Sequence, residues 1–155
     1  MNLLDIIDPS SLGIHYFFEE VTVALEQEVL TAWLQAVLEE ENKTLQSIRF
    51  IFCQDEYLHR INVEYLNHDT LTDVITFPYS DKEEIINGEI YISVDRIEEN
   101  AKNYKVSSKQ ELHRVMVHGV LHLCGYDDTE ESSKKKMQEL EDYYLNKLIL
   151  PIRED

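Results

Sequence analysis

Residues 108–128 read SKQELHRVMVHGVLHLCGYDD, and this segment predicts a helix with a defined beginning and end. The S-x-x-E pattern that begins at Ser108 is typical of a capping box at a helix N-terminus. Gly125 lies where a residue with left-handed backbone angles would end the helix. Since His118 and His122 are four residues apart, both imidazoles project from one face of the helix, one turn apart.

Asp128 follows ten residues after His118 and completes a candidate metal site. Its offset, with that of the glycine, reproduces the ligand spacing of the pattern H-E-x-x-H-x-x-G-x-x-H. Three protein ligands and an open fourth position are typical of a catalytic zinc. We therefore predict one Zn²⁺ per chain, held by His118, His122 and Asp128, with Asp127 as an alternative ligand. An amphipathic core helix with two hydrogen-bonded histidines is the competing interpretation.

Gly119 argues against peptidase activity. In H-E-x-x-H enzymes this position carries the glutamate that acts as general base, and its loss would cost orders of magnitude in rate. Zinc lowers the pKa of a bound water to about 7, so hydroxide can form at neutral pH without a strong side-chain base. The sequence therefore predicts a zinc-dependent hydrolase of another kind. His113 lies about 140° around the helix from His118 and is a poor ligand.

The remaining sequence predicts an α/β (α+β) fold in a single metal-dependent hydrolase domain, residues 1–155. Neither a repeat nor a Pro/Gly-rich linker divides the chain, and its length is that of one ordinary domain. Alternation and β-branched runs indicate about four strands in a mixed sheet, and apolar residues at helical spacing indicate several helices, including a zincin-like metal helix. The predicted strands are 14–21, 47–54, 72–79 and 88–94; the predicted helices are 25–41, 55–66, 95–103, 108–124 and 130–148; the acidic stretch 80–87 is predicted as a loop.

Composition indicates a globular cytoplasmic protein. The apolar fraction is 43% and the charged fraction 29%, which is typical of a folded domain. We expect no membrane association, because the apolar stretches are short and interrupted by charge, and no export signal, because the first residues lack a basic region. Cys53 and Cys124 lie in apolar surroundings without a CxxC motif, which favours buried free thiols in a reducing compartment.

The charge of −17 argues against a uniformly basic surface that binds nucleic acid non-specifically. Residues 102–136 differ, because they contain seven basic and five acidic residues. Arg114, Lys134, Lys135 and Lys136 are therefore candidate contacts for an anionic ligand. Solvated helix faces explain any one of them equally well.

Three ordered blocks resemble one family. HGVLHLCGYDD (118–128) resembles the HGxLHLxGYDH signature of the YbeY family, single-domain bacterial endoribonucleases of rRNA maturation. INVEYLNHDTLTDVITFP (61–78) resembles the family's LNxxYRxxDxPTDVLSFP, and GEIYIS (88–93) is similar to its GDI strand. The resemblance implies a zinc-dependent, single-strand-specific endoribonuclease of rRNA maturation and late ribosome assembly. It also implies contact with ribosomal proteins or assembly factors, and it places the family's zinc ligands at His118, His122 and Asp128. With RNA as the implied substrate, the basic residues of the 102–136 segment become candidate RNA contacts: Arg114, Lys134, Lys135 and Lys136.

Two departures from the family pattern bear on function. Asp128 stands where the family usually has histidine, and an anionic ligand makes the metal a weaker Lewis acid while keeping it bound. Leu66 replaces an arginine and removes a phosphate contact that would stabilise the transition state. The second departure favours the alternative of a ribosome-assembly binding factor with a largely structural metal. A non-haem iron oxygenase also uses two histidines and a carboxylate, but two histidines on one helix without a jelly-roll pattern argue against it.

Polar residues beside the predicted strands are candidates for orienting a ligand imidazole, as metal sites usually require. They are Asp69, Asp73 and Glu89. Turn and cap chemistry is the alternative, and we favour it for Thr72.

Overall fold

The computed structural model describes residues 12–68 and 72–149, which form four strands and five helices. In chain order these are β1 (Gly13–Phe18), α1 (Gln27–Glu40), β2 (Thr44–Cys53), α2 (Asp55–Leu66), β3 (Val74–Pro78), β4 (Ile85–Ser93), α3 (Val94–Tyr104), α4 (Ser108–Leu123) and α5 (Glu131–Leu145).

The four strands form one mixed sheet in the order β1-β2-β4-β3. β1 and β4 both run parallel to β2, and β3 pairs with β4 in the antiparallel sense. The prediction of a mixed four-stranded sheet with helices is therefore confirmed. β3 forms one edge of the described sheet, next to β4.

One face of the sheet carries the main core. Successive side chains of a strand point to opposite faces, so Ile86, Ile90 and Ile92 of β4 share one side, where they are 2% exposed or less. This side packs against α4, because a Cβ added at Gly119 would lie 2.8 Å from Ile90 Cγ2. Gly88 and Gly119 thus allow helix and strand to approach closely.

The opposite face of β3 and β4 is covered by α2. Cys53, Leu58 and Ile75 form a second buried cluster there, and Phe77 and Tyr91 pack against it. β4 therefore separates two environments, with the main core and α4 on one side and an aromatic layer on the other.

Several boundaries differ from the sequence prediction: β1 ends at Phe18 rather than at 21, β2 begins at Thr44 rather than at 47, and α5 ends at Leu145 rather than at 148. β4 begins at Ile85, three residues earlier than expected, because Ile85 and Ile86 pair with Thr44 and Leu45 of β2. The capping box of α4 is formed by Ser107 and Gln110 rather than by Ser108 and Glu111: each backbone N–H donates to the other's side-chain oxygen at 3.0 Å. The prediction was wrong because Glu111 is buried, only 4% exposed.

The prediction of two free thiols agrees with the structure, while the prediction of burial holds fully only for Cys53. Cys53 is buried, Cys124 is partly buried, and both are free thiols. Burial raises the pKa of each thiol to about 12, so both stay protonated at neutral pH. None of the helices in the described part of the chain combines the length and apolar character needed to cross a membrane.

Candidate metal centre

The end of α4 and the loop after it bring three side chains together as predicted. His118 and His122 lie on the same face of α4, and Gly125, with a φ of 106°, turns the chain so that Asp128 returns to them. The two Nε2 atoms are 3.0 Å apart, and Asp128 Oδ2 is 3.5 and 3.6 Å from them. The sequence spacing alone predicted this convergence.

These distances fit a zinc ion. Ligand atoms about 2.0–2.1 Å from a tetrahedral zinc lie about 3.3 Å from one another. The ligand atoms of His118, His122 and Asp128 all lie within 4.8 Å of one another. Two imidazole nitrogens and a carboxylate oxygen are also the donor types that zinc accepts.

The cluster is open to solvent on one side. The side chains of His118, His122 and Asp128 are 20%, 24% and 40% exposed. Solvent and small molecules can therefore reach the three candidate ligand atoms, as an open coordination position would require.

Glu141 of α5 fixes the orientation of the first histidine. Its Oε2 accepts a hydrogen bond from His118 Nδ1 at 2.6 Å, and its Oε1 accepts one from Arg114 Nη1 at 2.8 Å. With the proton on Nδ1, Nε2 of His118 keeps its lone pair for a metal. Sequence reasoning missed Glu141, although it lies between Met137 and Tyr144 on the buried side of α5.

The two imidazoles have opposite pKa shifts. Burial acts to lower the pKa of His118, but the hydrogen bond and charge of Glu141, with the charges of Asp128 and Asp73, raise it above its usual value. Burial and the neighbouring His118 lower the pKa of His122. The cluster is therefore surrounded by negative charge suited to a cation, and His122 readily offers a lone pair.

Two further acids lie close to Glu141. Burial raises the pKa of Asp73, and the charge of His118 opposes this. Burial, followed by the charge of Asp73, raises the pKa of Glu111 to about 7. Asp73 accepts a hydrogen bond from Asn100 at 3.4 Å. Its position near His118 is compatible with the predicted orienting role, which stays a prediction.

Among the other candidate orienting residues, Glu89 lies away from the cluster. Glu89 points to the face of β4 opposite α4, where its carboxylate accepts a hydrogen bond from Tyr79 at 2.5 Å. The structure therefore does not bring Glu89 to the ligand imidazoles. Asp69 lies outside the described residues. Thr72 donates to the backbone oxygen of Val74 at 3.3 Å, which is turn chemistry.

The candidate RNA contacts fall into two groups. Lys134, Lys135 and Lys136 are exposed in the first turns of α5. Arg114 is held between Glu141 and Asp142, at 2.8 and 2.6 Å, so its described contacts hold Glu141, the partner of His118, in place. Contact of these four residues with RNA stays a prediction.

Two further residues of α4, His113 and Gly119, bear on which ligands and which chemistry the cluster can have. His113 is 5% exposed and packs edge-on against Trp33. Burial lowers its pKa to about 4. It lies apart from the cluster, as expected for a poor ligand. Gly119 faces Ile90 so closely that a side chain there would clash. The position of the general base in H-E-x-x-H peptidases therefore has no room for glutamate.

Comparison with known proteins gives a consistent result. The family model described as Endoribonuclease YbeY matches residues 16–149. A protein named Endoribonuclease YbeY from Amoebophilus asiaticus is 45% identical over 134 residues, 86% of this chain and 91% of its own length. Its namesake from Flavobacterium johnsoniae is 50% identical over 127 residues, 81% of this chain and 91% of its own length.

A solved structure supports the fold. The solution structure of a Thermotoga maritima protein superposes with a TM-score of 0.64 at 28% identity, covering 87% of this chain and 88% of its own. The range that the family model matches, residues 16–149, spans the whole His118–His122–Asp128 cluster and Glu141.

Proposed function

Because the chain belongs to the endoribonuclease YbeY family, we propose that it is a zinc-dependent endoribonuclease that cleaves single-stranded RNA. The observation that carries this proposal is the convergence of His118, His122 and Asp128, whose candidate ligand atoms lie 3.0–3.6 Å apart, as ligands of one zinc ion would. Zinc in such a gap supplies a Lewis acid that polarises a phosphoryl oxygen and lowers the pKa of a water to about 7.

Residues around the cluster orient His118 and set the charge of the proposed site. Glu141 keeps the proton of His118 on Nδ1, and Arg114 holds Glu141 in place through its second oxygen. Two neutral imidazoles and one carboxylate leave a net charge of about +1 on a site with a divalent ion. That charge attracts a phosphodiester, though less strongly than a three-histidine site would.

The substrate we propose is ribosomal RNA, processed in the cytoplasm during late ribosome assembly together with ribosomal proteins or assembly factors. The sequence resemblance supports this role, and the names of the relatives support RNA as the substrate class. Exposed Lys134, Lys135 and Lys136 are cationic groups in a chain of net charge −17, and we propose that they contact RNA phosphates.

The test is cleavage of labelled single-stranded RNA by the zinc-loaded protein, with duplex RNA in parallel. We expect cleavage of the single strand, its loss on chelation, and its recovery when zinc is restored. His118→Ala should reduce the rate by orders of magnitude. His15→Ala, on β1, is the matched control and should leave the rate unchanged. Cleavage by His118→Ala at the unaltered rate would refute the proposal.

The second candidate is a ribosome-assembly binding factor whose metal is structural. Leu66, at the end of α2, favours it, because the resembling family has an arginine at this position. The partial exposure of three ligands argues against it, since structural zinc sites are closed and four-coordinate. If chelation unfolds the protein, and the zinc-loaded form binds ribosomal proteins without cutting RNA, the second candidate is correct.

A further inference from the structure

The face of the sheet opposite α4 carries a pocket of about 440 Å³ between α2, β3 and β4. We name it the tyrosine pocket, because its lining residues include four tyrosines: Tyr57, Tyr65, Tyr79 and Tyr91. Its size lies within the range of small-ligand sites, about 300–1,000 Å³. The metal cluster does not use this pocket, since α4 covers the other face of β4.

The aromatic rings of the tyrosine pocket form a partly buried floor and an exposed rim. Tyr57 stacks on Tyr91 with ring centres 6.5 Å apart, and Phe77 meets Tyr91 edge-on at 5.7 Å. Tyr65 and Tyr79 are 70% and 55% exposed. Exposed rings beside an aromatic floor offer a flat ligand a stacking surface, and stacking would remove their apolar area from water.

Charged groups of both signs surround these rings. The guanidinium carbons of Arg60 and Arg49 lie 5.8 and 5.7 Å from the ring centres of Tyr57 and Tyr79. Two carboxylates, Glu64 and Glu89, also line the pocket. Oε1 of Glu89 accepts from Tyr79 and its Oε2 lies 4.0 Å from Arg49 Nε, which leaves lone pairs on both oxygens for a ligand donor. The pocket thus combines a stacking surface, one lining cation, Arg60, that is suited to phosphate, and an acceptor suited to an amino group.

We propose that the tyrosine pocket binds one unpaired base of an RNA strand, stacked on the rim tyrosines, with Arg60 facing the phosphate. Glu89 accepts a hydrogen bond from an exocyclic amino group, as carboxylates accept from cytosine N4, so uracil binds less well. This inference rests on the proposed function, because it concerns the same substrate. Since β3 is an edge strand, an RNA strand that passes around it reaches both faces of the sheet. The base in the pocket therefore anchors the strand at a nucleotide other than the one that is cut.

The test compares binding of labelled oligocytidylate and oligouridylate by fluorescence anisotropy, in a His118→Ala background that should not cut them. Tyr65→Ala and Tyr79→Ala should each raise the Kd for oligocytidylate at least about fivefold, the low end of the effect of losing a stacked base. Tyr104→Ala, which removes a 65% exposed tyrosine elsewhere, is the matched control and should change the Kd less than twofold. Glu89→Gln should reduce the preference for cytosine over uracil. Thermal melting of each variant verifies that it folds.

The outcomes separate the two proposals. Protein that binds neither oligonucleotide, and whose unsubstituted form cuts no RNA, contradicts the proposed function itself. Protein that cuts RNA normally, but whose Tyr65→Ala and Tyr79→Ala variants bind like the Tyr104→Ala control, overturns the tyrosine pocket alone. Equal or tighter binding of oligouridylate overturns the assigned role of Glu89.

Discussion

Replacement of Glu141 by glutamine should weaken zinc binding without unfolding the protein. Glu141 uses both oxygens, one for Arg114 and one for His118 Nδ1. Glutamine has one acceptor oxygen. The charged guanidinium of Arg114 forms a stronger hydrogen bond to this oxygen than the neutral imidazole of His118 does, so the oxygen turns toward Arg114. The amide NH₂ then faces Nδ1 of His118 and favours the tautomer with its proton on Nε2, the atom that must bind the metal.

The size of the effect follows from the geometry. The bond to His118 is short, at 2.6 Å, and Glu141 is 7% exposed, so solvent screens it little. Loss of such a partner of a ligand histidine costs about 10- to 100-fold in metal affinity, which corresponds to about 1.4–2.7 kcal/mol. The assay is competition for zinc against a chelator of known affinity, at neutral pH.

Asp142→Asn is the matched control. Asp142 also accepts from Arg114, at 2.6 Å, but its side chain is 58% exposed and it lies outside the hydrogen bond to His118. This variant removes the same charge from the adjacent position and should leave the zinc Kd within about twofold, as expected for an exposed ion pair. If Glu141→Gln binds zinc as tightly as Asp142→Asn does, Glu141 does not orient His118.

Three further predictions concern the third ligand, a buried histidine and the contact between α4 and β4. Asp128→His should keep zinc and raise the rate of RNA cleavage at neutral pH, because a neutral ligand leaves more positive charge on the metal; a folded variant that no longer binds zinc would contradict this. Burial, followed by the charge of Lys109, lowers the pKa of His113 to about 4, below its unfolded value, so stability is lost as pH falls from about 6.5 toward 4. Relative to His113→Leu, the protein should therefore lose about 1 kcal/mol of unfolding free energy between about pH 7.5 and pH 5.5, and urea titrations that show a constant difference would refute it. Gly119→Ala should destabilise the fold by about 1–3 kcal/mol, because the new methyl group meets Ile90 at 2.8 Å; an unchanged or raised Tm would show that the better helix propensity of alanine outweighs the contact.

The sequence predicted the ligand cluster well because the cluster is local. Helical geometry alone places His118 and His122 on one face, and a glycine at the helix end allows Asp128 to return. All three lie within eleven consecutive residues. The same reasoning predicted most of the helices and strands, since each depends on short-range periodicity.

Features that depend on packing between distant segments could not be predicted in this way. Glu141 is 23 residues beyond His118, and its role appears only when α5 packs against α4. Glu89 lies on a strand whose alternation defines two faces, but the sequence does not state which face α4 covers. The position of the capping box likewise depended on the burial of Glu111, since two adjacent serines, Ser107 and Ser108, were both suitable caps.

The most direct test of the central claim is anomalous diffraction at the zinc absorption edge, from crystals of the zinc-loaded protein. We expect one strong peak per chain at about 2.0–2.1 Å from Nε2 of His118, Nε2 of His122 and a carboxylate oxygen of Asp128. A peak located elsewhere, or no peak at saturating zinc, would contradict the assignment of these three residues as the metal site.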